Sequence, residues 1–238
     1  MDFIRSYEKH SLSEMAVLYI KNKILSGELK SGDKLVESNI SADLSISRPP
    51  VREALRELSV QGMTVFSPRK GNFVLDMSSE ELLEIFDIRI SLEIKVLELL
   101  MRKKLLTCED FTRLRGLVKK MREHNQLELE HHERIYQLNS LDLEFHSHLW
   151  SASKSLRRGK IMESLFFQIL IAMNRYPKSL GSFDEKATEH ERIVAALEKN
   201  DLELAVSHFK AHLDAYVRAV LPNADTMLAS EALPSDKR

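Results

Sequence analysis

Apolar residues recur every three or four positions along most of this chain, which is the spacing of amphipathic helices. The sharpest example is residues 45–58, SISRPPVREALREL, where one face of the predicted helix is apolar and the adjoining face carries arginines. The apolar residues are Val51, Ala54, Leu55 and Leu58, and the arginines are Arg48, Arg52 and Arg56. We therefore expect a helix that packs one face inward and presents three guanidinium groups to a polyanion. The alternative is a solvated face on which Glu53 and Glu57 partly neutralise the arginines.

The beginning of this helix has its own sequence signals. We expect the helix to begin after Ser47, whose hydroxyl can accept a hydrogen bond from a free amide of the first turn. Pro49 and Pro50 fall in that turn, where a missing N–H costs little. Because a residue before proline resists helical angles, the chain should enter the helix through a tight, stiff turn.

The flanking segments make the arginine helix part of a larger motif. Residues 35–44 predict a short helix that begins at Leu35 and reaches the arginine helix through a three-residue turn. After Gly62, the run TVFSPRKGNFVL predicts two strands around a basic turn. The turn residues, all candidate DNA contacts, are Arg69, Lys70 and Gly71. Such a winged helix places its second helix in the major groove and its wing on phosphates or the minor groove.

The remainder of the chain predicts helices only. Ser11 and Glu14 have capping-box spacing before an apolar run that ends near Gly27. After a polar connector at 76–79, six helical runs follow at 82–106, 107–124, 134–152, 162–176, 182–197 and 200–220. Pro177 should stop the fourth run, and four further pairs have cap spacing at helix starts: Ser78 with Glu81, Thr107 with Asp110, Ser182 with Glu185, and Asn200 with Glu203. The fold class is therefore mainly α: an N-terminal winged helix-turn-helix with a small β-hairpin wing, plus a C-terminal antiparallel all-α bundle of six or seven helices. We place the domains at 1–76 and 77–221, with a flexible tail at 222–238.

Composition limits the kind of protein this can be. Of the 238 residues, 43% are hydrophobic and 30% are charged, and the net charge is -1, so DNA binding must depend on local arrangement. Cys108 is the single cysteine, so no internal disulfide is possible and a reducing compartment fits. The sequence has no apolar run long enough to span a bilayer and no apolar export segment at its start. We therefore expect a cytoplasmic protein that does not interact with membranes.

The helical bundle carries candidate metal ligands. Asp142 and His146 are four residues apart in SLDLEFHSHLW, so they share a helix face, and apolar neighbours place them near the bundle interior. His190 and His212 each lie on the apolar face of a separate predicted helix. Three imidazoles and one carboxylate suit a divalent transition metal, zinc first, with nickel, manganese or iron as alternatives. Taken singly, each histidine also fits an ordinary hydrogen-bonded residue, and His208 is a rival ligand because it shares a face with His212.

Two long stretches resemble one family of regulators. The run KLVESNISADLSISRPPVREALRELSVQG, followed by the hairpin, resembles the N-terminal domain of GntR-family transcription regulators. From about residue 87 to 220, FDIRISLE, LDLEFHSHL and TEHERIVAALEKNDLELAVSHFKAHL resemble the FadR-type C-terminal effector domain, abbreviated FCD. The first resemblance implies that Ser47, Arg48, Arg52 and the wing tip at Gly71 touch DNA, with Arg56 as a further candidate. Ser45 stands where the family usually turns on glycine, a strain of about 1 kcal/mol if its backbone is left-handed.

The second resemblance implies a ligand site in the bundle. It assigns a metal to four residues, namely Asp142, His146, His190 and His212. It also implies that a small carboxylate binds beside the metal, with Arg89 as the clamp because guanidinium and carboxylate pair through two parallel hydrogen bonds. The alternative for Arg89 is an ordinary intersubunit or surface ion pair.

These patterns support one main functional hypothesis and two alternatives. The main hypothesis is a ligand-responsive DNA-binding transcription regulator, a repressor, with a small organic acid as effector. It would bind a palindromic double-stranded operator as a homodimer, because one short recognition helix contacts too few base pairs. The alternatives are a metal-dependent hydrolase, with Glu144, Glu189 or Glu191 as the base, and a pure metal-ion sensor. Because the chain has no nucleophile elbow, phosphate-binding glycine loop or HExxH pair, we do not expect an enzyme.

Overall fold

A computed structural model of the chain describes residues 11–174 and 182–221. Its N-terminal part consists of three helices and three strands: α1 (Leu12–Leu25), β1 (Lys34–Leu35), α2 (Glu37–Leu44), α3 (Arg48–Val60), β2 (Thr64–Ser67) and β3 (Gly71–Val74). The strands form an antiparallel sheet in the order β1-β3-β2. Its helical composition and small sheet confirm the predicted fold class, including the winged helix-turn-helix.

The wing has one more strand than the sequence pattern predicted. Leu35 was expected in a helix, but it lies in β1, opposite Asn72 of β3. Helix α2 begins only at Glu37. The helical prediction for Leu35 was wrong because pairing with the open edge of β3 satisfies backbone groups that a strand of the hairpin would otherwise leave free.

Helix α3 begins after Ser47, as predicted, and its apolar face is buried. The four buried residues are Val51, Ala54, Leu55 and Leu58. Ser47 occupies the N-cap position in extended backbone, but its hydroxyl makes no capping hydrogen bond within the described chain, so the predicted cap was wrong. Ser45 is left-handed, with φ 55°, and therefore carries the strain expected for a residue other than glycine in this turn.

The rest of the described chain is a bundle of six helices. They are α4 (Ser79–Arg102), α5 (Cys108–His124), α6 (His131–Ala152), α7 (Leu156–Met173), α8 (Phe183–Glu198) and α9 (Leu202–Val220). Capping boxes form at the N-terminal ends of α1, α4, α5 and α8, where the serine or threonine spacing predicted helix starts. Helix α7 begins six residues earlier than predicted. Both the predicted stop at Pro177 and the predicted flexible tail lie outside the described residues.

One predicted helix start was displaced by a residue. Asn200 was expected to cap α9, but it adopts a left-handed conformation with φ 53°. Asp201 is the N-cap instead, and its Oδ1 accepts a hydrogen bond from the Leu204 amide at 3.0 Å. The left-handed residue ends α8 and turns the chain, so the next short polar side chain caps α9.

The two halves of the chain pack directly against each other. Helix α1 contacts α3 on one side and the bundle helices α6 and α7 on the other. Within the bundle, α4 packs against α7 and α9, and α8 packs against α5 and α9. None of the helices in the described residues is both long enough and apolar enough to cross a membrane.

Candidate DNA-binding face and metal centre

The predicted DNA-contacting residues lie on the solvent side of α3 and at the wing tip. Ser47 and the three arginines Arg48, Arg52 and Arg56 are exposed. The wing turn places Arg69 and Lys70 in solvent between β2 and β3. Arg69 and Gly71 have left-handed backbone, with φ 66° and 104°, which forms the tight turn.

One acidic residue near this face was missed by the sequence reasoning. Glu37, in the first turn of α2, lies with its Oε2 3.3 Å from Nε of Arg52. This contact involves Nε rather than the terminal nitrogens of Arg52, and the side chain is still more than half exposed. Glu37 therefore restrains the Arg52 side chain, which stays exposed on the outer face of α3. The signal in the sequence was an acidic residue in the first turn of the helix that precedes the arginine helix.

The four predicted metal ligands converge inside the bundle. The ligand atoms of Asp142, His146, His190 and His212 all lie within 4.8 Å of one another, and all four residues are buried. Asp142 Oδ1 is 3.1 Å from His190 Nε2 and 3.9 Å from Nε2 of both His146 and His212. The four atoms therefore surround one point, supplied by α6, α8 and α9.

Hydrogen bonds at the outer edge of the imidazoles fix their tautomers. His190 Nδ1 is 2.6 Å from the Lys186 carbonyl, and a carbonyl can only accept, so Nδ1 carries the proton. His212 Nδ1 is 2.7 Å from the Glu189 carboxylate and is likewise protonated. In the neutral rings Nε2 is then a free acceptor that faces the centre. This orientation of histidine by carboxylate or carbonyl is typical of metal sites.

The electrostatic environment keeps the cluster ready to bind a cation. Burial lowers the pKa of His146 and of His212 well below the usual value, and neighbouring imidazoles lower both further. Burial by itself would raise the pKa of Asp142, but the nearby imidazoles, His190 first, hold it well below the usual value. Asp142 is therefore a carboxylate beside the neutral imidazoles of His146 and His212, the protonation states that a metal requires.

Several polar atoms of this cluster lack partners. Within the described chain, Asp142 Oδ1, His190 Nε2 and His146 Nδ1 are buried without hydrogen bonds. His146 Nε2 and His212 Nε2 lie 3.2 Å apart. Because His212 carries its proton on Nδ1, its Nε2 has a lone pair that faces the cluster. Buried polar atoms are rarely left unpaired, because each loses its hydration without compensation. A divalent transition metal at the centre would satisfy Asp142 Oδ1 and the Nε2 atoms of the three histidines, so the donor set fits the metal.

Three further residues support the ligands, and two of them were not anticipated from the sequence. Lys186 is buried, and its Nζ lies 3.1 Å from Glu189 Oε2 and 3.6 Å from the centre of the Tyr216 ring. The Tyr216 hydroxyl donates a hydrogen bond to Asp142 Oδ2 at 3.0 Å, so Oδ1 remains directed inward. Lys186 precedes His190 by four residues and Tyr216 follows His212 by four, a spacing that the pattern could have revealed.

Arg89 lies deep in the bundle rather than at a surface. It is 1% exposed, and its Nε is 3.5 Å from Glu93 Oε1 on the same helix, so an intersubunit or surface ion pair does not describe it. The Glu93 carboxylate also accepts from Trp150 Nε1 at 3.0 Å. Burial raises the pKa of Glu93 to about 7, while Arg89 acts in the opposite direction. Arg89 Nε and Nη2 have no hydrogen-bond partner among the described residues, so the guanidinium retains unused donors.

Other sequence candidates lie elsewhere. His208 is half-buried on α9 and is not part of the cluster, which uses His212. Of the glutamates considered as bases, Glu144 pairs with Arg113 at 3.1 Å and Glu191 pairs with Arg122 at 2.6 Å. Glu189 contacts the cluster, but through the outer nitrogen of His212. The geometry therefore supports ligand orientation rather than water activation.

A winged helix with an arginine-bearing recognition helix, joined to a helical domain with a buried polar cluster, defines a class of DNA-binding regulators. Family models agree with this class. Residues 12–74 match bacterial regulatory proteins of the gntR family, and residues 84–215 match the FCD domain. The chain belongs to the GntR family of transcription regulators, with an FCD domain as its second part. Its members regulate transcription, so the chain is a DNA-binding regulator, not an enzyme, and the hydrolase alternative was wrong.

Individual relatives are similar over most of the chain. The gluconate operon transcriptional repressor of Bacillus subtilis (strain 168) is 27% identical over 203 residues, covering 82% of this chain and 79% of the relative. A probable D-xylose utilization operon transcriptional repressor of Paenarthrobacter nicotinovorans is 27% identical, covering 84% and 85%. The solved structure of E. coli McbR/YncC has a TM-score of 0.79 at 21% identity and covers 90% of this chain and 99% of that one, which shows a shared fold.

Proposed function

We propose that this regulator is a repressor that binds a palindromic operator as a homodimer and responds to a small carboxylate bound beside a metal. The observation that carries the proposal is the convergence of four buried ligand atoms within 4.8 Å in the bundle. The relatives named as repressors of a gluconate operon and of a D-xylose utilization operon support the sign of regulation. Because an operator lies on the chromosome, we place the protein in the cytoplasm.

The proposed DNA contacts divide into base readout and phosphate binding. Arg48 and Arg52 lie at the beginning of α3, the end of a recognition helix that reaches base edges in the major groove. Ser47, Arg56 and the wing residues Arg69, Lys70 and Gly71 would position the protein on phosphates and the minor groove. One α3 reads only a few base pairs, whereas two copies one DNA turn apart read an inverted repeat, which is why we propose a homodimer.

The proposed metal is held by Asp142, His146, His190 and His212. Zinc is the first choice because it favours three imidazoles and one carboxylate, and nickel, manganese and iron accept the same ligands. When bound, it would supply a positive charge that attracts a ligand carboxylate. Glu189, Lys186 and Tyr216 would hold the ligand side chains in place through the contacts described above.

We place the effector carboxylate next to Arg89. The unpaired Nε and Nη2 of Arg89 are suited to a carboxylate, because a guanidinium can donate two parallel hydrogen bonds to the two carboxylate oxygens. The Arg89–Glu93 contact of 3.5 Å is longer than an ordinary hydrogen bond. An effector carboxylate could therefore form shorter and stronger hydrogen bonds with Arg89 than Glu93 does. An effector that binds one arrangement of the bundle more tightly than another would shift the spacing of the two winged helices.

A pure metal-ion sensor remains the second candidate, because the complete burial of the four ligands would also suit a site in which the ion is the signal. The unpaired donors of Arg89 favour an organic effector. Titrating zinc into the DNA complex, with and without a panel of small organic acids, separates the two. Release by zinc alone supports the sensor, and release that requires an acid supports the effector.

Replacing Arg52 with alanine tests the assigned DNA contact. A duplex selected from a random library by the wild-type protein serves as the probe in a gel-retardation assay. We expect Arg52→Ala to weaken binding to this duplex by roughly 5- to 150-fold, the effect of losing one good base contact. Arg157→Ala, an exposed arginine on α7, is the control and should bind as wild type does. Equal affinity of Arg52→Ala and wild type would remove Arg52 from the recognition surface.

Two histidines on α9 provide a matched test of the metal site. His212 is a cluster residue, whereas His208, one turn earlier, is half-buried outside it. We expect His212→Ala to lower zinc affinity at least about tenfold, because losing a ligand should exceed the effect of losing its supporting hydrogen bond. His208→Ala should retain the wild-type affinity, measured by competition with a chelator and by elemental analysis. The reverse ranking would show that the ligand assignment is wrong.

A further inference from the structure

The two domains meet at the ends of two helices of the DNA-binding domain. Ser26 is the C-cap of α1 and is followed by Gly27, and Gln61 is the C-cap of α3 and is followed by Gly62. Both glycines have φ 70°, the left-handed turn that commonly ends a helix. Such an end leaves backbone carbonyls without partners inside the helix, and these carbonyls need donors from elsewhere. At both ends the donors are side chains of the helical bundle.

The end of recognition helix α3 is bound by α7. The Ser164 hydroxyl donates to the Gln61 carbonyl, and Gln168 Nε2 donates to the same carbonyl at 3.1 Å. Gln168 Nε2 also donates to Ser164 Oγ at 3.2 Å, so the three groups form one network. A Cβ atom on Gly62 would lie 2.6 Å from Gln168 Nε2, so this approach depends on the glycine.

The end of α1 is bound by the same part of the bundle. Asn174, at the C-terminal end of α7, donates through Nδ2 to the Ile24 carbonyl at 2.6 Å. Asn139 of α6 donates to the Leu25 carbonyl at 2.9 Å. Both asparagines are buried, so their hydrogen bonds would be costly to break without replacement. Helix α7 thus holds α1 at one point and α3 at another.

The opposite side of α7 faces the proposed ligand site. Phe166 lies between Ser164 and Gln168 in sequence, so its side chain projects from the other side of the helix. The Arg89 guanidinium carbon lies 5.2 Å from the centre of the Phe166 ring, and the His146 ring centre lies 6.2 Å from it. Arg89 and His146 therefore both pack against the helix that holds α3.

We propose that Ser164 and Gln168 are positioning residues for DNA recognition, which hold the C-terminal end of α3 against α7 and transmit changes at Phe166 to α3. The transmission part depends on the proposed metal site, whereas the positioning part does not. Neither residue belongs to the exposed arginine face, so their effect on DNA binding would act through the orientation of α3. This coupling requires that α7 has two arrangements and that the ligand site and the end of α3 both affect the balance between them.

Hydrogen exchange of the full-length protein, followed by mass spectrometry, tests the positioning part without metal. We expect Ser164→Ala/Gln168→Ala to raise exchange in residues 57–63 about fivefold or more, the change expected for losing one hydrogen bond of ordinary strength. Ser164→Thr keeps the hydroxyl and should retain most of the protection. Lys160→Ala, an exposed change on the same helix, is the control and should leave these amides unchanged. Unchanged exchange at 57–63 in the double variant overturns the proposal.

Adding zinc alone tests the transmission part. In the wild-type protein we expect slower exchange in α6, α8 and α9 and also at residues 57–63. The double variant should keep the response of the three bundle helices and lose the response at 57–63, an outcome that a merely structural role would not produce. A zinc response at 57–63 that persists in the double variant, or is missing in wild type while the bundle responds, overturns the transmission. If zinc leaves α6, α8 and α9 unchanged in wild type, the metal site is wrong, and the metal-free comparison alone decides the positioning.

Discussion

At the scale of single residues, burial determines the charge of the groups in the bundle interior. His146 and His212 are neutral because burial and nearby imidazoles lower the pKa of each ring. Glu93 is shifted in the opposite direction, to a pKa of about 7, because burial disfavours its carboxylate. These shifts make the folded state sensitive to pH, since the unfolded chain exposes the same groups to water.

Acidification should destabilise the protein when a chelator keeps it metal-free. Below pH 6.5 the unfolded chain protonates two histidines that stay neutral in the folded state, so stability falls as pH falls. Between pH 7 and 4.5, folded Glu93 binds a proton that unfolded Glu93 does not, which opposes the loss. Because two histidine protons in the unfolded chain outweigh one glutamate proton in the folded protein, the free energy of unfolding should fall by about 1 kcal/mol per pH unit from pH 6.5 to 5.

Urea unfolding of the chelated protein at pH 6.5, 5.75 and 5 measures this loss. His212→Asn removes one of the two titrating rings. The free energy of unfolding should then depend little on pH, because the remaining histidine and Glu93 shift it in opposite directions by similar amounts. Stability of the wild-type protein that stays constant or rises on acidification would contradict the assigned protonation states.

At the scale of elements, the ends of helices explain both the accurate and the inaccurate predictions. Capping boxes depend on residues three apart, so the sequence alone located the beginnings of α1, α4, α5 and α8. The Ser47 cap did not form, and Leu35 joined a strand, because these outcomes depend on neighbours distant in sequence. The ends of α1 and α3 likewise depend on donors more than one hundred residues away, such as Gln168 and Asn174.

Two glycines with left-handed backbone allow the contact at the end of α3 to be measured. Gly62 and Gly32 have φ 70° and 80°, so alanine at either position should cost about 1 kcal/mol of stability. A Cβ on Gly32 has no described atom within 4 Å, whereas a Cβ on Gly62 displaces Gln168. Gly62→Ala should therefore cost about 1 kcal/mol more than Gly32→Ala, the value of the lost hydrogen bond.

Denaturant unfolding of the two glycine variants gives this difference directly. Repeating Gly62→Ala in a Gln168→Ala background should remove the excess, because the side chain that is displaced is then absent. Equal losses for Gly62→Ala and Gly32→Ala in the wild-type background would show that Gln168 contributes little at this position.

At the scale of the whole molecule, each half of the chain supplies one part of the regulator. The N-terminal half presents arginines to solvent, and the C-terminal half encloses a polar cluster suited to a cation. Helix α7 lies between them and contacts both the end of α3 and the surroundings of Arg89. If the two functions are coupled, this helix is the shortest physical connection between them.

The sequence by itself determined the helical periodicity, the winged helix, and the pairing of Asp142 with His146, because each depends on residues close together in the chain. The apolar faces of their helices made His190 and His212 candidates, and the resemblance to a known domain assigned them to the metal. Only the tertiary structure decided that all four side chains meet at one point, that Arg89 is buried with unused donors, and that Gln168 caps the recognition helix. These features depend on how helices pack, and packing joins residues whose separation along the chain leaves no local pattern.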